Sequence, residues 1–287
     1  MKKEYNMEQA LLSKYQEIES RGVRPEGAWW TETLEGRRYV KPAIPFVGKN
    51  YTRQKLGCKV LLYASAENLS GYGEQIVELT QERGMNRCRE AFTNSSDADF
   101  FPSVHIQPIN DGGLLVAAYQ ILKKCMGEEF LAVYGEMSPR EFLECICCAN
   151  YGKFTLMQGK GEKNVDCANS KGIDFFESCH EYIKVDIEVL KPDIIIIPSG
   201  VYYSARQKEL FFDKISSVGN IKIISIYQIN AQVVNCTIYP AMMKERYGKI
   251  FSEDMLSTNE LRWHKGVKRI NKEKLLSIYS YINSLNI

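Results

Sequence analysis

The 287-residue sequence lacks the long apolar segments that membrane spans and secretion signals require. Its longest strongly apolar run, "DIIIIPSG" (193–200), is far too short to cross a bilayer. The first twenty residues are charged throughout and contain no apolar signal-peptide core. We therefore expect a cytoplasmic protein that has no membrane partner.

The sequence also lacks an excess of charge of one sign. The net charge is only +2, so any surface that binds a polyanion has to be a local patch. Hydrophobic residues make up 45% of the chain and charged residues 25%, which is typical of an ordinary globular protein. This length allows one large domain or two small ones, with a sizeable core in either case.

Two phosphate-binding motifs are absent, since neither G-x-x-x-x-G-K nor G-x-G-x-x-G occurs. There is no internal repeat. The nine cysteines are odd in number, and Cys145, Cys147 and Cys148 crowd into one apolar segment. This pattern indicates reduced thiols packed in a core rather than a disulfide framework.

Four short apolar segments, rich in β-branched residues or cysteine, are separated by helical patterns. The predicted strands are 59–64, 144–149, 193–199 and 221–227, and the predicted helices are 6–20, 72–83, 114–126, 172–190, 204–217, 240–250 and 271–285. Strands that are apolar without alternation indicate a parallel sheet buried on both faces, and hence an α/β fold. Ligands bind such sheets at the carboxyl ends of the strands, just after 64, 149, 198 and 227.

The residues at these strand ends are amides with a single carboxylate. Glu67 and Asn68 follow the first strand, Asn150 the second, and Gln228 and Asn230 the fourth. Amides offer donors and acceptors together, which suits a heterocycle with a mixed edge. A carboxylate beside them can activate water or stabilise a cationic transition state. Cleavage of an N-glycosidic bond needs this chemistry and does not require a metal.

Three stretches, "YASAENLSGYG" (63–73), "CANYGKF" (148–154) and "CHEYIKVDIEVLKPDIIIIPSG" (179–200), are similar to motifs of the uracil-DNA glycosylase superfamily. The resemblance covers roughly residues 44–235. It implies a three-layer α/β/α sandwich with a central, mainly parallel four-stranded sheet. We expect an N-terminal helix and lead-in (1–43), a glycosylase-like domain (44–240) with an insertion at about 85–140, and a helical extension (241–287) packed on the same domain.

The resemblance assigns Glu67 to the catalytic position and Asn150 to reading a flipped base. Asn68 follows the catalytic position, and Gln228 stands where the family has a His that stabilises the departing base. The remaining candidates are His105 for catalysis; Tyr72, Phe101, Tyr151 and Asn230 for base binding; and Lys153 and Ser199 for DNA binding. Which aromatic residue stacks on the base stays open, with Phe100 as a further alternative.

Departures from the family pattern indicate a target other than uracil. The third motif lacks its His, which favours excision of a bulky modified cytosine, such as the glucosylated hydroxymethylcytosine of phage DNA. The reaction would leave an abasic site, in antiviral defence or DNA repair. Some family members carry an iron–sulfur cluster, but here only Cys179 fits a ligand position and Phe154 replaces another. We expect no cofactor.

The partner is then DNA, bound by a monomer. The segment "RWHKGVKR" supplies Arg262, Lys265, Lys268 and Arg269 as candidate phosphate contacts, or is a solvated basic loop. Simpler roles stay open elsewhere: Glu67 as an acid at a helix N-terminus, and Asn150 as a turn-former. The alternative functions are a catalytically inactive module on the same fold, which binds a modified base or a protein, and a hydrolase or transferase of free nucleosides.

Overall fold

The computed structural model describes residues 6–66, 112–128, 139–158, 163–166, 173–198, 205–226 and 285–287, except 26, 29, 35, 40, 43, 54 and 55. The chain divides into two compact units. The first consists of Met1–Arg89 and Glu144–Ile226, and the second of Glu90–Leu143 and Tyr227–Ile287. The helices predicted at 72–83 and 240–250, and residues 271–284 of the last predicted helix, lie outside the described residues.

The described elements alternate between short strands and helices. In chain order they are α1 (Met7–Ser20), β1 (Trp30–Thr33), β2 (Gly36–Tyr39), β3 (Phe46–Val47), a 3-10 turn (Tyr51–Arg53), β4 (Val60–Ala66), α2 (Gly112–Met126), α3 (Pro139–Leu143), β5 (Cys147–Gly152), β6 (Thr155–Gln158), β7 (Lys163–Asp166), α4 (Ile173–Leu190), β8 (Ile194–Pro198), α5 (Ala205–Gln207), a π-helical turn (Lys208–Phe212), α6 (Asp213–Gly219) and β9 (Lys222–Ile226).

The first unit is built on a mixed sheet of five described strands in the order β3-β5-β4-β8-β9. The strands β5, β4, β8 and β9 are parallel, and β3 runs antiparallel to β5. The predicted α/β fold with a mainly parallel sheet is therefore confirmed. The edge strand β3 was not predicted, because it is only two residues long and lies in a Gly- and Pro-rich lead-in. Two hairpins, β1-β2 and β6-β7, are also additional to the prediction.

Both faces of the sheet are buried, which explains why its strands are apolar without alternation. In β4, Leu61 and Tyr63 lie on one face, and Val60 and Leu62 lie on the other; all four are inaccessible to solvent. The β8 run of four isoleucines is likewise buried on both sides. Only a strand covered on both faces favours this composition over alternation with polar residues.

Helix α1 covers the first of these faces together with α4. The side chain of Asn6 accepts a hydrogen bond from the Gln9 N–H and caps the helix. Leu11, Tyr15 and Ile18 recur at helical spacing and are buried, and burial of each apolar side chain stabilises the fold by about 1.5–3 kcal/mol. The N-terminal helix is therefore part of the core of the first unit.

The start of β5 differs from the prediction. The strand begins at Cys147 rather than at residue 144, because Glu144 and Ile146 are engaged by the lead-in: their carbonyls accept hydrogen bonds from the Asn50 and Gly48 N–H groups. A Cβ at Gly48 would lie 2.4 Å from the Glu144 carbonyl, so this approach requires glycine. Cys145, Cys147 and Cys148 are buried, as predicted, and none forms a disulfide with another described residue.

The second unit is represented by α2, α3 and the last three residues. Tyr119 and Phe142 pack edge to face with ring centroids 5.5 Å apart, and Ile121 and Leu122 are buried. The Lys124 ammonium donates to the Leu285 carbonyl. Among the helices that the structure describes, none is long and apolar enough to cross a membrane.

Candidate functional site at the carboxyl edge of the sheet

The strand order defines where a ligand would bind. The chain passes from β4 to β5 on one side, and then crosses to β8 and β9 on the other. This reversal makes a switch point between β4 and β8, and open α/β sheets bind ligands outside the carboxyl ends of the strands at such a point. We call the carboxyl ends of β4, β5, β8 and β9 the carboxyl edge.

Asn150 lies in β5, close to the carboxyl edge. It is half-buried, and its Cα pairs with that of Ala64 in β4. The carboxamide makes no hydrogen bond to any residue that the structure describes. Asn150 was predicted to follow the strand, but it lies two residues before the end of β5, because the strand starts and ends later than expected. An amide in this position can read the polar edge of a ligand.

The end of β4 lies beside the end of β5. Ala66, the last residue of β4, pairs with Gly152. The next residue in the chain is Glu67, which lies outside the described residues. The same holds for most of the other predicted site residues: Asn68, Tyr72, Phe101, His105, Ser199, Gln228, Asn230, Arg262, Lys265, Lys268 and Arg269.

Tyr151 follows Asn150 and faces the opposite side of the sheet. Its ring is inaccessible to solvent and stacks on Phe212 with centroids 6.0 Å apart. Its hydroxyl lies 3.1 Å from Nε2 of His180 in α4. This placement leaves the ring no open surface for a base. Side chains alternate along a strand, so the preceding residue, Asn150, lies on the other face. Tyr151 therefore serves the core in this structure.

Lys153 is also buried, with an exposed fraction of 2%. Its ammonium donates to Asp186 Oδ2 at 2.7 Å and to the Tyr15 hydroxyl at 2.9 Å. Its backbone N–H donates to the sulfur of Cys179 at 3.3 Å. The phosphate contact expected of Lys153 requires a solvent-facing ammonium, and this placement does not provide one.

Asp186 is the centre of a closed group of four polar side chains, which we call the Asp186 cluster: Tyr15, Tyr63, Lys153 and Asp186. The Tyr15 hydroxyl donates to Oδ1 at 2.6 Å, and the Tyr63 hydroxyl donates to Oδ2 at 2.9 Å. The Lys153 and Asp186 side chains are both completely buried. Together the cluster links α1, β4, the end of β5 and α4.

The electrostatics of the Asp186 cluster keep its tyrosines protonated. Burial first, and then the negative charge of Asp186, raise the pKa of Tyr15 and of Tyr63 well above that of a free phenol. Both phenols therefore remain hydrogen-bond donors at any physiological pH. Because every contact is internal, the cluster is built to hold elements together rather than to reach a substrate.

Asp186 was not among the residues predicted from the sequence, although a signal was present. Asp186 follows Tyr182 and Ile183 at the helical spacings of four and three, on the stripe that α4 buries. A carboxylate in the middle of a buried stripe requires a partner. Lys153, which follows a buried strand directly, is the kind of residue that supplies it.

His180 lies above the cluster on α4 and is neutral at physiological pH. Its ring stacks on Phe211 with centroids 4.3 Å apart and planes 7° from parallel. Burial lowers the pKa of His180 to about 4, and a hydrogen bond with Gln207 opposes this shift. The His180 imidazole and the Tyr151 hydroxyl share a hydrogen bond, so His180 holds β5 against α4.

No group of three metal-binding side chains occurs among the described residues. Cys179 is buried against the Lys153 backbone, and Phe154 packs on Tyr182 with ring centroids 5.6 Å apart.

No known family model matches the chain, and no curated protein matches its sequence. Support for a function therefore comes from the sequence motifs and from the geometry of the carboxyl edge.

Proposed function

We propose that the protein is a DNA glycosylase, which flips a modified pyrimidine out of DNA and hydrolyses its N-glycosidic bond. The observation that carries this proposal is the half-buried Asn150 carboxamide, which has no partner among the described residues and lies at the carboxyl edge beside the end of β4. Flipping is required because the reacting bond of a base is inaccessible inside the duplex.

The proposed roles follow the chemistry of each side chain. The Asn150 carboxamide offers both a donor and an acceptor to the polar edge of the flipped base. Glu67, the residue after β4, activates the water and stabilises the cationic sugar. Gln228 or His105 donates a hydrogen bond to the departing base. In this proposal the sheet is the middle layer of a three-layer α/β/α sandwich, as in the uracil-DNA glycosylase superfamily.

The proposed substrate is a bulky modified cytosine, such as glucosylated hydroxymethylcytosine, rather than uracil. Support comes from the third motif, where Gln228 and Asn230 stand in place of the family His. Selectivity among flipped bases depends on pocket shape and on contacts to the exocyclic groups. The protein would act as a cytoplasmic monomer on phage or damaged DNA, with the basic segment 262–269 on the phosphates.

The proposal is tested with three otherwise identical duplexes that contain unmodified cytosine, uracil or glucosylated hydroxymethylcytosine. After incubation with the protein, abasic sites are scored by alkaline strand cleavage. We expect cleavage of the glucosylated duplex above all. The absence of abasic sites in every duplex would rule out the glycosylase.

Glu67→Gln separates the enzyme from an inactive binding module. The variant keeps a polar side chain of the same size and removes the carboxylate charge. For a glycosylase, it should abolish excision and leave binding of the glucosylated duplex largely unchanged. Binding by the wild-type protein without any excision would favour the inactive module, to which the altered third motif also points.

A further inference from the structure

The carboxyl end of β5 is held against α4 by three successive contacts from one face of the sheet. The Tyr151 hydroxyl meets His180, the Lys153 N–H donates to Cys179, and the Lys153 ammonium donates to Asp186. Asn150 directly precedes Tyr151 in sequence but faces the other side of the sheet. Its direction is therefore set by contacts that it does not itself make.

This part of β5 pairs with fewer described strands than its start does. The edge strand β3 pairs with Cys147 and Cys148, so beyond Cys148 the strand has β4 as its one described neighbour. Side chains alternate with a period of two, and a slip of one residue would turn Asn150 towards α4 and Tyr151 away from it. A contact that such a slip would break therefore helps to exclude that register.

The Lys153–Asp186 ion pair is a contact of this kind, because a slip would separate its two charges. Buried ion pairs often contribute little net stability compared with apolar residues of the same volume, but they strongly penalise arrangements in which either charge loses its partner. In a slipped register the Lys153 side chain would leave Asp186, which would then be buried with only the two phenols as donors. The native register is the one that pairs both charges.

We propose that the Lys153–Asp186 ion pair locks the register of β5 and thereby keeps the Asn150 side chain on the face opposite α4, at the carboxyl edge. Lys153 is a positioning residue: it acts on a ligand only through Asn150. The inference rests on the proposed function for the role of Asn150 as base reader, whereas the register itself is a property of the free protein. The two can therefore be tested separately.

The test compares Lys153→Met with the double variant Lys153→Met/Asp186→Asn. The single variant leaves the Asp186 charge unpaired, whereas the double variant removes both charges and keeps an acceptor for a tyrosine. We expect the double variant to regain much of the lost resistance to denaturant. Its backbone amides at 149–152 should nevertheless exchange with deuterium about tenfold faster than in the wild-type protein, when each rate is divided by that of the β8 amides in the same protein.

Ile224→Ala provides a control, because Ile224 is 2% exposed in β9 and is not among the core residues grouped with Tyr15 and Tyr63. It should lower stability without any selective loss of protection at the end of β5. A second readout is the Asn150 side-chain resonance in protein labelled with ¹⁵N-asparagine, which should be single in the wild-type protein and broadened or doubled in the double variant.

Wild-type protection at 149–152 and a single Asn150 resonance in the double variant would overturn the register lock. Binding of the glucosylated duplex is measured in parallel and should weaken about tenfold in the double variant. If the wild-type protein does not bind this duplex, the proposed function fails, but the exchange and resonance measurements on the free protein still decide the register lock.

Discussion

Asn150 and Lys153 are three residues apart, yet they lie in opposite environments. Lys153 is in the Asp186 cluster, where every charge and hydroxyl has an internal partner. Asn150 is half-buried, and its amide has no partner among the described residues. Buried polar groups that are satisfied internally serve the architecture, whereas an unsatisfied amide at the edge of a parallel sheet is available for a ligand.

The largest expected effect on stability is in the Asp186 cluster. Asp186→Ala leaves the Lys153 charge buried without its partner, and we expect it to lower the free energy of unfolding by about 3–5 kcal/mol. Denaturant titration measures the change. The control is Glu188→Ala, which removes an exposed partner of Lys14 and should cost no more than about 1 kcal/mol. Equal effects of the two substitutions would contradict a special role for the cluster.

Acid should weaken the fold through His180. Burial lowers its pKa from 6.5 to about 4, so below pH 6.5 the unfolded chain takes up a proton that the folded protein does not. The stability contributed by the neutral imidazole is complete above pH 6.5 and is lost progressively as the pH falls towards 4. His180→Gln should remove this part of the pH dependence, on the order of 2 kcal/mol. Parallel curves of the free energy of unfolding against pH for the wild-type protein and His180→Gln would refute the assignment of this pH dependence to His180.

Tyr15→Phe tests how much the N-terminal helix contributes to the cluster. The substitution removes one hydrogen bond to Asp186 and one acceptor of the Lys153 ammonium, with almost no change in volume. We expect a loss of about 1–2 kcal/mol in the free energy of unfolding, since the bonds involve charged groups. Tyr39→Phe, in the hairpin of the first unit, serves as a comparison outside the cluster. A neutral Tyr15→Phe would mean that the Tyr15 hydroxyl does not contribute to holding α1 in place.

Asn150→Ala should have the smallest effect on stability and a large effect on function. Because its carboxamide has no partner among the described residues, we expect a change within about 0.5 kcal/mol in the free energy of unfolding. Loss of a base-reading amide should at the same time weaken recognition of the modified base, which a competition binding assay with unmodified duplex measures. A strongly destabilised variant would show that Asn150 belongs to the architecture.

The sequence was sufficient to predict the parts of the fold that depend on local patterns. Helical periodicity located α1 and α4, and uninterrupted apolar runs located β4 and β8 within two residues at either end. The start of β5 was misplaced because Glu144 and Ile146 bind the backbone of a segment almost a hundred residues away. A pairing over that separation leaves no periodic signal in either segment.

The candidate site was also predicted only in part from the sequence. Asn150 was found because a polar residue stood near the end of an apolar strand. The burial of Lys153 was missed because its partners Tyr15 and Asp186 come from distant helices, and a lysine after a strand normally faces solvent. Strand alternation alone would have placed Tyr151 and Lys153 on the face opposite Asn150.

The most direct measurement of the central claim is abasic-site formation on the glucosylated duplex by the wild-type protein and Asn150→Ala, at equal concentrations of folded protein. The account predicts abasic sites with the wild-type protein and a rate lower by about 10²-fold in the variant, because the amide is the base-reading group. Equal rates for the two proteins, or no abasic sites with the wild-type protein, would contradict it.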